Sequence, residues 1–268
     1  MNNLSENVKA IGKMIQEAPG RFAALVVLIV VAFLVARFAE QRAMRRELAQ
    51  GRRVEAMFST RKIAIIGVFS AISFALMLFE FPILFMAPDF YKFDFSDIPA
   101  LIAGFAAGPM AGVMIEFIKN LLNILIQGPT PGFVGEIANF VIGSAFIIPA
   151  TVIYRFKKTR KVALISCITG TLCITFIGAV LNAFFLLPAY AIAYGCPVDY
   201  FIAAGTEIHS FINNIFTFCL FCVAPFNLLK GVADSVITFL IYKQLSPILK
   251  TDPMEVARAR KVAKAEEA

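Results

Sequence analysis

Five runs of this chain, 22–38, 63–79, 137–154, 162–190 and 215–242, are too apolar and too long to belong in water. The first reads "FAALVVLIVVAFLVARF" and the second "IAIIGVFSAISFALMLF". A helix rises about 1.5 Å per residue, so about 20 such residues cross the hydrocarbon of a bilayer. Inside lipid no water satisfies the backbone, which leaves helices as the natural form of runs like these. Two more apolar segments, 98–107 and 109–126, meet at Gly108-Pro109, the first of them too short to cross alone. Hydrophobic residues make up 59% of the chain, including 28 Phe, against roughly 45–50% in soluble domains. The expected class is an all-α integral membrane protein with many spans.

Charge sets the orientation. The net charge is +7, yet nineteen of the 25 basic residues fall in three segments, 37–62, 154–161 and the tail from Lys243. The span order places all three on one side, which the positive-inside rule makes cytoplasmic. The opposite loops, 80–97, 127–136 and 194–213, carry Glu80, Asp89, Asp94, Asp97, Glu136, Asp199 and Glu207 against Lys92 alone. The basic residues therefore report topology, with attraction to anionic membrane lipid as a secondary effect, and no nucleic acid is expected. The first apolar run has no small-residue cleavage site and is followed, not preceded, by basic residues. It reads as a retained anchor with residues 1–21 outside and the C-terminus cytoplasmic. Three regions result: an anchor with its basic connector at 1–62, a compact membrane domain at 63–250, and a tail at 251–268.

Enzymatic chemistry finds no support. No GxxxxGK[ST], HExxH or GxSxG pattern occurs, and the chain is expected to be no enzyme, with no cofactor and no metal. Cys219 and Cys222 have redox or zinc spacing but stand in "FTFCLFCVAPF" without a second ligand pair, so they read as buried thiols. His209 stands alone.

Polar residues inside the spans carry the functional signal. Glu116 and Lys119 are spaced i, i+3, and Lys230 and Asp234 i, i+4, so each pair shares a helix face. Asn227 lies one turn before Lys230, Asn182 stands in the preceding span, and Asn120, Asn123 and Asn139 lie on the third and fourth segments. Neutralisation within each pair is one reading of the charges; against it stands Asn227 on the same face as Lys230. The amides point further, to a polar ligand in an apolar bundle, since buried polar groups demand partners. The loop "EFPILFMAPDFYKFDFSDIP" suits a cover over an outward-opening cavity, with Phe81, Leu84, Phe85, Phe90, Phe93 and Phe95 as its apolar residues, or else a helix lying in the interface. Gly67, Ala71 and Ala75 recur every four residues and form a smooth stripe that fits either internal packing or docking to another membrane subunit. There is no internal repeat of the kind common in secondary transporters.

The strings "FEFPILF", "KFDFSDIPALIAGFAAGPMAGVMIEFIKNLL", "GEIANFVIGSAFIIPA", "LNAFFLLPAY", "PFNLLKG" and "ITFLIYKQLSPILK", in this order over 63–250, resemble the riboflavin-specific S components of energy-coupling-factor (ECF) vitamin transporters. The resemblance implies a six-helix substrate-binding bundle, here with an additional N-terminal anchor helix. It implies capture of riboflavin from outside, and delivery with a transmembrane coupling subunit and two cytoplasmic ABC-type ATPases. The family's ligand-contacting residues map onto Asn182, Asn227 and Lys230. Leu84, Phe85, Asp94, Asn120 and Asn139 complete the expected substrate-binding set, and the docking stripe maps onto Ala71 and Ala75, with Gly67 beside them. Departures are the anchor at 1–62, the length of the loop at 190–213, and Asp234, which leaves open whether Lys230 is tied to it or free for ligand. Two alternatives stay open: an S component for another vitamin, and a self-sufficient proton-coupled carrier using Glu116 or Asp234.

Overall fold

The computed structural model describes residues 18–51 and 54–250, with residues 9, 12, 13, 15 and 16 before them; for Arg21 and residues 242–250 it describes the backbone alone. The expectations for the tail 251–268 and for residues 1–8 fall outside the described residues. Ten α-helices and one short hairpin follow one another in the described chain: α1 Pro19–Ala49, α2 Thr60–Met77, β1 Phe81–Pro82, β2 Lys92–Phe93, α3 Asp97–Ala107, α4 Pro109–Gln127, α5 Val134–Phe156, α6 Arg160–Leu181, α7 Leu187–Tyr194, α8 Val198–Ile208, α9 Ile215–Phe218 and α10 Ala224–Lys250. Six stretches are long and apolar enough to cross a membrane: Phe22–Ala49, Thr60–Met77, Pro109–Gln127, Pro131–Phe156, Arg160–Tyr194 and Ile215–Ile241, with α3 as a shorter apolar helix. The expected spans and the short third segment are all present.

Local chemistry sets the boundaries. The Ser59 side chain accepts the Lys62 backbone N–H at 3.2 Å and so caps α2. α3 ends at Gly108, whose φ of 106° is open to glycine and strained for other residues. Pro109, which lacks an N–H, then opens α4, where none is needed. α3 sits at the centre, against α2, α4, α5 and α10. Close packing there depends on small residues: a Cβ on Gly112 would stand 3.1 Å from the Ala100 carbonyl oxygen.

Two π-turns interrupt the last spans, at Asn182–Leu186 and Cys219–Val223. Each lies just ahead of a proline, Pro188 or Pro225. A proline ring collides with the carbonyl four residues back in a regular helix, and the wider turn relieves that collision without ending the span.

On the acidic-loop side, β1 and β2 pair antiparallel, Phe81 opposite Phe93 and Pro82 opposite Lys92. Their rings join an aromatic cluster with Phe95, Phe226, Tyr91, Phe90 and Phe201. Neither this hairpin nor α8 is foreshadowed by the sequence pattern.

α1 packs along α4 and α5 and continues through the first part of the connector as one helix. Leu25 and Ala36 are buried, and the Phe33 ring lies 5.4 Å from those of Phe117 and Phe140. At the basic end, fully buried Glu40 binds Arg155 at 2.5 Å and Lys62 at 2.8 Å, while Glu47 binds Arg155 at 3.1 Å.

Candidate functional site

A cavity of about 350 Å³ opens beneath the hairpin loop, among α4, α5, the first π-turn and α10. That volume falls in the range of small-ligand sites, about 300–1,000 Å³. Its wall combines the amides of Asn123, Gln127, Asn139, Asn182 and Asn227 with Asp94, Asp97 and Lys230, and with the rings of Phe90, Tyr91, Tyr190 and Phe226.

The π-turns place two of these amides. Asn182 opens the first π-turn; its Nδ2 donates to the Gly178 carbonyl at 2.8 Å, and its Oδ1 accepts the Tyr91 hydroxyl at 2.7 Å. Burial, with Cys219, Tyr190 and Cys222 nearby, pushes the Tyr91 hydroxyl well above its ordinary value, so it stays a neutral donor. Asn227 follows the second π-turn by one turn of helix and lies against Gly178, where any Cβ would collide with its amide nitrogen. That nitrogen is buried and has no hydrogen-bond partner. Asn139 has only a long contact, Nδ2 to the Met77 sulfur at 4.0 Å. Donors are thus held ready and largely unused.

Below them runs a buried ionic network. Lys230 Nζ reaches Asp94 Oδ2 at 3.0 Å and Asp97 Oδ2 at 3.5 Å. Lys119, fully buried, pairs with Asp97, with Glu116 at 2.7 Å and with the Ser96 hydroxyl at 2.8 Å. Asp94 also accepts the Ser96 N–H at 2.7 Å, and the Ser73 hydroxyl donates to the Ser96 carbonyl at 2.7 Å, fixing the end of the hairpin loop to α2.

The structure places Asn182, Asn227, Lys230, Asp94 and Asn139 around one cavity. Three expectations are corrected. Asn120 stands outside the wall, its Nδ2 given to the Glu116 carbonyl at 2.8 Å on its own helix. Leu84 and Phe85, 62% and 75% exposed, lie in the turn after β1 and do not line the cavity. Asp234 is fully buried beside Lys230 but makes no direct pair with it: neither of its oxygens has a hydrogen bond, and the ammonium contacts Asp94 and Asp97 instead. The i, i+4 spacing put the two on one face, but the shorter reach across to Asp94 and Asp97 claims the ammonium. Of the loop aromatics, Phe90 lines the cavity and Phe93, in β2 of the hairpin, is buried.

Sequence reasoning passed over Asp97, Tyr91, Gln127, Tyr190 and Phe226 as wall residues. Asp97 alone left a usable trace: Asp94 and Asp97 stand one helical turn apart at the start of α3. Cys219 and Cys222 are buried free thiols. Among the described residues no three His, Cys, Asp or Glu side chains gather so as to hold a metal ion. Gly67, Ala71 and Ala75 face outward from α2, and a Cβ on Gly67 would meet nothing within 4 Å.

Membrane-crossing helices closing on a polar, aromatic-walled cavity define a solute-binding membrane protein. Residues 61–242 match the model of the family described as "ECF transporter, substrate-specific component", and the chain belongs to that family. It is 34% identical to "Riboflavin transporter RibU" of Staphylococcus aureus (strain TCH60), over 75% of this chain and 98% of the relative. Identity to "Riboflavin transporter FmnP" of Bacillus subtilis (strain 168) is 36%, over 70% of this chain and 93% of that one. A solved structure, described as "Structure and mechanism of the S component of a bacterial ECF transporter", is similar with a TM-score of 0.56 and 33% identity, covering 71% of this chain and 98% of that one. The chain is thus a multi-pass membrane component of a transporter.

Proposed function

We propose that this chain is the riboflavin-binding subunit of an ATP-driven ECF importer, taking riboflavin from the outer face. The carrying observation is the unpartnered Asn227 amide inside a cavity walled by further amides, Lys230 and aromatic rings. A flavin offers what such a wall complements: a flat ring system with a polar edge, and a hydroxyl-rich side chain. Asn227, Asn139 and Lys230 supply donors, Asp94 and Gln127 supply acceptors, and Phe90, Tyr91 and Phe226 supply ring faces. The names of the relatives point to the same ligand.

Transport is assigned to partners. A transmembrane coupling subunit docks on the stripe of Gly67, Ala71 and Ala75, and two cytoplasmic ATPases supply the energy. Smooth helix faces allow close approach in lipid, and all three residues of this one are exposed, with nothing within 4 Å of a Cβ placed on Gly67. The basic segments set the membrane orientation, with the N-terminus outside and the C-terminus cytoplasmic.

Quenching of flavin fluorescence by the purified chain tests the ligand. Saturation at one riboflavin per chain without ATP is expected; tight binding of another vitamin with no riboflavin quenching overturns the assignment. A second reading rests on two buried carboxylates, Glu116, held only by its ion pair with Lys119, and Asp234, whose oxygens lack hydrogen bonds: a self-sufficient proton-coupled carrier. Uptake that collapses with a protonophore but survives loss of the ATPases would favour it.

A further inference from the structure

At the end of the bundle away from the cavity, α1 and α5 part to leave a groove of about 380 Å³. Its apolar lining is Phe38, Ala39, Ala43, Val152 and Phe156; Arg42 and Arg46 line it too, as do Gln50 and the ion-paired Glu47 and Arg155. The Arg42 guanidinium stands 5.6 Å from the centre of the Phe38 ring, and that of Arg46 4.7 Å from Phe156. Both rings remain 61% and 60% exposed, so the groove is open along an apolar face.

The charges around it do not cancel. Arg155 and Lys62 are neutralised by Glu40 and Glu47. Arg42 and Arg46 have no carboxylate within ion-pair distance among the described residues. Two positive charges are left over a hydrophobic trough. Arg42 and Arg46 lie about 6 and 12 Å beyond Phe38 along the α1 axis, where the apolar run ends and headgroups begin.

We propose that this groove is a binding site for an anionic phospholipid, its phosphate held by Arg42 and Arg46 and an acyl chain lying against Phe38 and Phe156. A guanidinium fork matches phosphate oxygens in a bidentate fashion, and the aromatic faces hold both forks in place. A zwitterionic lipid would set its own cation beside two unneutralised guanidiniums. A free anion would use the rim and leave the apolar floor wet. The lipid fills both parts. It also joins α1, which precedes the family-matched region 61–242, to the end of α5, making the membrane itself part of the joint between them.

The test uses the full chain in mild detergent, titrated with phosphatidylglycerol or phosphatidylcholine and read by native mass spectrometry, with thermal melting by circular dichroism. Phosphatidylglycerol should be retained and should raise the melting midpoint, and phosphatidylcholine should do neither. Arg42→Gln/Arg46→Gln should weaken phosphatidylglycerol retention by roughly 30-fold, the effect of two basic side chains at a charged membrane surface. Arg37→Gln/Arg45→Gln, which removes two charges of α1 outside the groove, should change it little. Equal loss in both double variants, or equal retention of the two lipids, overturns the site in favour of diffuse surface charge. Displacement of phosphatidylglycerol by millimolar inorganic phosphate overturns the lipid as occupant. Melting of each variant without lipid separates a lost site from a lost fold.

Discussion

Lys230 is held by Asp94 and Asp97, so its removal leaves buried Asp94 without its cation and Asp97 with Lys119 alone, whereas removal of Asp234 leaves the ammonium paired. Breaking a buried pair from one side costs about 3–5 kcal/mol. Lys230→Met should therefore lower the melting midpoint sharply and weaken riboflavin binding. Asp234→Leu should leave stability unchanged or raised, because it removes a buried acid without hydrogen bonds. The combined variant should not recover, since the stranded groups are elsewhere; recovery in a melting and titration cycle would return Asp234 to Lys230 as its partner. Asn227→Ala should separate affinity from stability in the opposite sense. The free chain loses no hydrogen bond of the amide nitrogen, which is unpartnered, while the bound ligand loses hydrogen bonds of about 1–3 kcal/mol, roughly 5- to 150-fold in affinity. An affinity change matched by an equal stability change would show that Asn227 only packs. The amides and Lys230 were legible in the sequence because lipid makes every polar residue conspicuous. Their partners were not: Asp94 lies 136 positions from Lys230, and no spacing rule reaches across that separation.

Among elements, the membrane helices were legible and the parts between them were not. Spans announce themselves by length and hydropathy. The β1–β2 hairpin has two residues in each strand, too few for an alternating pattern, and α8 is an 11-residue helix in a loop already as greasy as a span. The π-turns had only their prolines as a signal, and a proline equally well marks a kink or an end. The α2 stripe was ambiguous by composition, and its exposure is a property of the folded bundle. Ala71→Leu or Ala75→Leu should leave riboflavin titration intact and abolish uptake in cells that depend on external riboflavin. A loss of binding equal to the loss of uptake would mean that bulk on α2 disturbs the cavity instead. On α6, Gly178→Ala should weaken binding as Asn227→Ala does, since the new methyl displaces the Asn227 amide; unchanged titration would show that the amide moves aside freely.

For the whole molecule, the sequence suggested an anchor beside a bundle, while the structure has α1 seated in the bundle through Glu40 and Glu47. Removing residues 1–49 should therefore destabilise the remainder, leaving Arg155 and Lys62 without those carboxylates, even though the family match begins at 61. Unchanged melting of the shortened chain would reduce α1 to a tether. Gly108 gives this seat a sharper consequence. The turn between α3 and α4 needs its positive φ, and any Cβ there would also run into the Glu40 carboxylate and stand 2.7 Å from Arg155 Nη1. Glu40 cannot swing away, being buried and gripped by two cations. Two penalties, one of backbone and one of crowding, thus meet at a single hydrogen atom. In a double-mutant cycle, Gly108→Ala should cost less in a Glu40→Ala background than in the parent, because the clash with the carboxylate is gone while the backbone penalty and the contact with Arg155 remain. The size of that non-additivity gives the thermodynamic coupling between a helix at the start of the chain and a turn about 70 residues further along it, read without touching the ligand site.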